Sequence, residues 1–204
     1  MNHREITQFL SDFELIRERT IVIVDYGNVE KWKNNLGWGV GIRQLAYLIR
    51  SLSFGNQALR RFYYGADYGK NEKGTTLVPW SKSVLDTAKY NKFEVVDKRV
   101  KYIHDNTNVH GFSKKCDLDV EMAIDLIKNR ENYDWIVLFS GDGDLMYAAK
   151  YLKDAYGKKC YVFGARGHIG REVMDAKTNG DVADILYAED FEYRLNPRYE
   201  AKMS

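Results

Sequence analysis

Apolar positions along this chain follow two rhythms. Continuous β-branched or aromatic runs at residues 20–24, 58–64, 93–97, 134–140 and 158–163 predict strands. The first, from Thr20 to Val24, is β-branched throughout, the pattern of a strand covered on both faces. Between these runs the spacing turns helical. It predicts helices over 3–19, 42–53, 80–91, 118–128, 142–156 and 168–177, and a short element near 183–187. Ile6, Phe9, Leu10, Phe13 and Ile16 mark the first helix, and Gly157 sits where a C-cap would end the helix over 142–156. Two stretches show no period. Residues 65–76 read as an exposed loop, and residues 98–116, rich in Lys, His, Asn and Gly, as a long one. Strands alternating with helices imply an α/β fold built on a parallel sheet. Its central sheet would be mostly parallel, with about five strands and right-handed crossovers. The expected organisation is an N-terminal helix over 1–19, one domain over 20–195 and a flexible tail over 196–204.

In parallel α/β sheets, ligands bind beyond the carboxyl ends of the strands. After the first strand come Asp25, Tyr26, Gly27 and Asn28. After the fourth come Ser140, Gly141, Asp142, Gly143 and Asp144. Both acidic groups therefore fall on one rim. Capping of the next helix explains one of these aspartates, since a carboxylate there accepts from free backbone N–H groups. It does not explain three. On the helix over 118–128, Leu118, Val120, Met122, Ala123, Ile124, Leu126 and Ile127 trace one wide apolar arc, with Asp119 inside it. An inward charge is costly unless it is paired or binds a metal. A site carboxylate and a buried ion pair both fit Asp119. Asp125 lies at the edge of the polar face, either solvated or lining the same cleft one turn deeper.

Four carboxylates, Asp25, Asp119, Asp142 and Asp144, brought to one place would raise one another's pKa values. A hard divalent ion with oxygen ligands relieves that repulsion, so Mg²⁺ or Mn²⁺ is the expected cofactor. Such an ion activates water and offsets phosphate charge. The implied chemistry is hydrolysis of a phosphate ester.

Composition narrows the class. Of 204 residues, 45% are hydrophobic and 29% charged, with 16 Gly and 2 Pro, an ordinary globular balance. No apolar run reaches membrane-spanning length, and the first residues do not read as a signal peptide. Two cysteines make no disulfide framework, so a cytoplasmic protein with reduced thiols is the expectation. The net charge of +2 does not by itself mark a nucleic-acid binder. His104, His110 and Cys116 are spaced too widely for a usual zinc motif.

The three acidic segments together resemble the NYN-domain proteins, the LabA-like branch of the PIN-like ribonucleases. The residues that carry the resemblance are Val24 to Asn28, Leu118 to Asp125 and Ser140 to Asp144, with Gly157 and Tyr161 to Phe163 following. It spans about residues 20–190. It implies a Rossmann-like, PIN-like three-layer α/β/α fold and a metal-dependent endonuclease site usually acting on RNA. Asp25 would be the first-strand metal ligand, Asp119 the helix acid, and Asp142 and Asp144 the fourth-strand pair. Asn28 and Ser140 would orient ligands, water or phosphate, and Asp125 matches a further acidic position. Two departures stand out. Leu145, Met146 and Tyr147 replace the Phe and Pro common after the last acid. Two lysines, Lys114 and Lys115, compete for the position upstream of Asp119.

Candidate RNA contacts are Lys115 and the segment Lys98, Arg99, Val100, Lys101 and Tyr102, where basic and aromatic residues interleave as in single-strand grooves. Gly164 to Gly170 opens the helix over 168–177 and reads either as a phosphate cradle helped by Arg166 or Arg171, or as a plain connection. Two rival functions remain. One is a non-catalytic RNA-binding or regulatory module; under this or the nuclease reading RNA is the expected partner and a homo-oligomer stays open. The other is a phosphatase, which would want an acid where Gly27 stands.

Overall fold

The computed structural model describes residues 1–13, 18–53, 56–70, 73–108 and 111–202. Ile16 and His110 of the sequence reading lie outside the described residues. The strands in chain order are β1 (Thr20–Asp25), β2 (Gln57–Ala66), β3 (Glu94–Arg99), β4 (Lys101–His104), β5 (Phe112–Lys115), β6 (Trp135–Phe139), β7 (Lys159–Gly164) and β8 (Asp184–Tyr187). The helices are α1 (His3–Asp12), α2 (Tyr26–Val29), α3 (Lys33–Leu36), α4 (Ile42–Ser53), α5 (Pro79–Tyr90), α6 (Asp119–Lys128), α7 (Met146–Tyr156), α8 (Arg171–Thr178) and α9 (Glu192–Leu195).

Six strands form one sheet in the order β3-β2-β1-β6-β7-β8, with every pairing parallel. The sixth strand is β8, which the sequence showed only as a short element. β1 lies at the centre, and its side chains divide between two cores. Val22 and Val24 enter one, Ile21 and Ile23 the other. Cover on both faces is the reason no charge interrupts that run. The first core takes Ile6 of α1, Leu45 of α4, Val84 of α5 and Leu195 of α9. The second takes Met122 of α6, Leu152 of α7 and Val173 of α8. This is the expected three-layer α/β/α arrangement.

Several boundaries differ from the sequence reading. α1 ends at Asp12; it starts on a capping box between Asn2 and Glu5 and buries Ile6 and Leu10 in the core. The segment expected to fray from Asn196 begins with that residue buried, followed by a 3-10 turn over Pro197–Lys202. The long loop over 98–116 contains an antiparallel hairpin, β4 with β5, in which Lys101 faces Lys115 and Tyr102 faces Lys114. α6 buries a narrower face than the sequence implied. Leu118, Met122 and Leu126 are buried, whereas Val120 is 66% and Ile124 54% exposed. No helix among the described residues is long and apolar enough to cross a membrane.

The strand order reverses between β1 and β6. β1 continues outward to β2, and β6 outward to β7, so the crossovers leave in opposite directions. The crevice at their carboxyl ends is the topological switch point, where ligands bind in doubly wound sheets.

Candidate functional site

Asp25 is the last residue of β1 and caps the short helix α2. Its Oδ1 accepts from the Asn28 N–H at 3.2 Å, and its Oδ2 accepts from the Ser140 hydroxyl at 3.1 Å. Ser140, fully buried just past β6, accepts in turn from the Asp142 N–H at 3.2 Å. The neighbouring strand ends are therefore tied through one hydroxyl. Asn28 provides a second tie. Its Oδ1 accepts from the Gly141 N–H at 2.9 Å and from the Trp32 indole N–H at 2.8 Å.

Two glycines set the shape of the Asp142 loop. A Cβ on Gly141 would lie 2.0 Å from the His168 carbonyl oxygen, and one on Gly143 would lie 2.5 Å from Cβ of Glu172. The loop is wedged against the segment after β7, where the Gly170 N–H donates to the Gly141 carbonyl at 2.7 Å. Neither Asp142 nor Asp144 caps α7, whose N-cap position is Leu145 with no side-chain cap bond. Asp142 Oδ1 instead accepts from the Asp144 N–H at 3.3 Å. Capping therefore does not account for this acid pair.

Asp119 opens α6 from the far side of the crevice, and its N–H donates to Asp117 Oδ1 at 3.1 Å. Asp25, Asp119 and Asp142 line one cleft of about 390 Å³, within the range of ligand-sized pockets. Burial pushes the Asp119 carboxyl up to about 7, helped by its hydrogen bond to Asp117 and by the charges of Asp117, Asp25 and Asp142. Burial also raises Asp25; the Asn28 N–H and the Ser140 hydroxyl pull it down, while the Asp142 charge adds to the rise. Asp117 is held low by the hydrogen bonds it accepts from residue 119. Asp144 is exposed and does not line this cleft.

The NYN domain family profile matches residues 19–184. The chain belongs to the NYN domain family. A cyanobacterial relative, "Low amplitude and bright protein LabA" of Synechococcus elongatus, is 38% identical over 84 residues, covering 41% of this chain and 45% of that protein. The match thus spans less than half of that relative's length. A crystal structure of a Vibrio parahaemolyticus protein of unknown function superposes with a TM-score of 0.65. It covers 89% of this chain and 97% of its own at 20% identity, a likeness of fold. NYN domains are PIN-like and generally nuclease folds, which places this cleft in a nuclease-type scaffold.

The remaining candidate positions of the sequence reading lie in several places. Asp125 does not reach the cleft. Its Oδ2 accepts from the Tyr63 hydroxyl at 2.5 Å and lies 3.6 Å from Arg61 Nε, so it is a partly buried, paired carboxylate behind the site. Lys98 clamps the start of α6 from β3, reaching Glu121 at 2.7 Å and the Asp117 carbonyl at 2.9 Å. The Arg99 guanidinium lies over the Tyr68 ring at 4.7 Å. Arg166 pairs with Asp190 at 2.7 Å and covers the Tyr187 ring at 4.3 Å. Of the two hairpin lysines, Lys114 lines the cleft and Lys115 does not. Lys114 pairs with Asp67 at 2.6 Å, and the Tyr102 hydroxyl donates to the same carboxylate at 2.7 Å. Lys31 and Trp80 also line the cleft, and the sequence reading had singled out neither. Lys114 and Lys115 are neighbours in β5, so their side chains leave opposite faces of the strand, a distinction that exists only once the hairpin register is known.

The donor chemistry suits a hard divalent cation, because Asp25, Asp119 and Asp142 offer only oxygen. Among the described residues no three His, Cys, Asp or Glu side chains already converge on a metal position. The acids face one cleft without closing a cage.

Proposed function

We propose that this protein is a metal-dependent endoribonuclease, cutting RNA phosphodiester bonds in the cleft between β1 and β6. The observation that carries this reading is the meeting of Asp25, Asp119 and Asp142 at the switch point, where Asp25 and Asp142 add their charges to the burial that already raises Asp119. None of the three acids forms an ion pair shorter than 4 Å with a described cation, although Lys31 lines the same cleft and lowers Asp25 through its charge.

Asp25, Asp119 and Asp142 would hold Mg²⁺ or Mn²⁺, with Asp144 close by in sequence. When bound, that ion supplies an activated water and offsets charge on the phosphate. The chain's own residues prepare the setting. The Ser140 hydroxyl and the Asn28 N–H fix both oxygens of Asp25, which limits the rotamers open to it. Asn28 fixes the loop carrying Asp142. Lys31 and Lys114 put positive charge on the cleft wall, where it attracts RNA phosphates. Tyr63, buried and bonded to Asp125, closes the floor. No cysteine or serine nucleophile is needed: Ser140 donates to a carboxylate, and burial raises the Cys116 thiol.

The test is cleavage of a mixed labelled RNA pool with Mn²⁺, Mg²⁺ or EDTA, comparing wild type with Asp142→Asn. Metal-dependent cleavage lost in the variant is the expected result. Folded wild-type protein that binds RNA and cuts none of it with either metal would overturn the reading in favour of a binding module.

A further inference from the structure

A single exposed aromatic side chain carries no message by itself. Trp80 is distinguished by where it stands. It follows Pro79 in the first turn of α5, is 62% exposed, and lines the same cleft as Asp25, Asp119 and Asp142. Lys114 and Lys31 line that cleft with it. The wall thus offers an indole face, the ammonium of Lys31 and that of Lys114, which stays paired with Asp67 until a phosphate competes for it, beside a set of acids. Phosphate-binding cations next to an open aromatic ring are the two parts of a single-strand groove.

Among the described residues Trp80 also stands outside the core. Trp32 and Trp135 are buried in the core, and Trp32 donates its indole N–H to Asn28. Trp80 is absent from both core clusters. The exposed indole costs the chain unburied apolar surface, and a ligand face repays it.

We propose that Trp80 is a base-stacking platform that makes the cleft select unpaired RNA, holding one nucleobase while Lys114 and Lys31 engage the adjoining phosphates. This rests on the nuclease reading of the acids but is separable from it. A base inside a duplex is stacked on its neighbours and paired, so it has no free face to give the indole. An unpaired base has one, whatever its identity, so the platform selects for strand state and tolerates sequence.

The experiment measures binding in EDTA, where turnover plays no part. The probes are a fluorescently labelled ten-nucleotide oligouridylate and a blunt RNA duplex. They are titrated against wild type, Trp80→Ala and Trp80→Phe. Wild type should prefer the single strand. Trp80→Ala should bind it roughly 5- to 100-fold more weakly, the range for losing one stacked base, with the duplex affinity unchanged. Trp80→Phe should recover most of the loss, and oligouridylate should quench indole emission in wild type more than in Trp80→Ala. Equal single-strand affinity in wild type and Trp80→Ala would overturn the proposal, as would an equal loss on both probes. So would a wild-type protein that binds no oligonucleotide. The cleavage assay is read apart. Trp80-dependent binding with no cutting under any metal supports the platform while removing the nuclease reading. Metal-dependent cutting of unpaired RNA at wild-type rate and affinity by Trp80→Ala removes the platform while supporting the nuclease reading.

Discussion

Replacing Asp119 by Asn should make the metal-free protein more stable, and only above a particular pH. The Asp119 carboxyl rises from the ordinary 3.8 to about 7 in the folded chain. The folded state therefore binds this proton more tightly than the unfolded state does. Stability from such a group is fully present below the unfolded pKa, falls as pH climbs between the two values, and is gone above the folded one. The wild type should lose stability from about pH 4 to pH 7, a window set by those two pKa values. A gap of about three powers of ten in proton affinity corresponds to a ceiling of about 4 kcal/mol. Asp119 is reached by solvent in the cleft, and screening reduces the expected penalty to roughly 1–2 kcal/mol. Asn keeps the shape, and its amide can still donate to Asp117. The measurement is urea denaturation of both proteins in EDTA at pH 4 and pH 8. They should coincide at pH 4, and Asp119→Asn should be the more stable at pH 8. A variant no more stable than wild type at pH 8 would refute the claim that burial, with the neighbouring acids, penalises the Asp119 charge.

The ties behind the acids give further expectations. Asn28→Ala strands the Gly141 N–H and the Trp32 indole N–H together, so it should cost roughly 2–4 kcal/mol in denaturation. It should also abolish whatever reaction the Asp142 loop supports. Gly141→Ala drives a methyl group onto the His168 carbonyl oxygen, and the loop must move; a loss of more than about 2 kcal/mol is expected, read as a drop in the thermal melting temperature.

How much of this could be read from the residues depended on how many surfaces each segment faces. β1 was plain because both of its faces are buried, which leaves only apolar β-branched residues along Ile21 to Val24. The rim acids were plain for a related reason, since strand ends name the rim. The hairpin was not plain. Lys101, His104, Phe112, Lys114 and Lys115 are all exposed, so no alternation betrays a strand. Without strands there was no register, and without register Lys114 could not be told from Lys115. The width of α6 misled in the other direction. A helical wheel sorts residues by polarity, but the sheet covers only the arc through Leu118, Met122 and Leu126 and leaves Val120 and Ile124 outside. Arg166 stands at a strand end as expected, yet its partner Asp190 comes from 24 residues later in the chain. Asp125 likewise depends on Tyr63 across the sheet, 62 residues away. Pairings at such separations leave no local trace.

The seam between β1 and β6 has a kinetic consequence. Asp25 and Ser140 touch across it, although 115 residues separate them. Closing so long a loop is entropically slow, and its reward comes only when neighbouring strands are already in place. No half of the chain can therefore rehearse the chemistry. A chain elongating from its N-terminus carries Asp25 through the making of β2 and β3 as a solitary carboxylate, and it meets Asp142 only when the central seam zips. Function in this molecule would switch on only once that seam has formed, as a property of the assembled sheet and of no smaller piece.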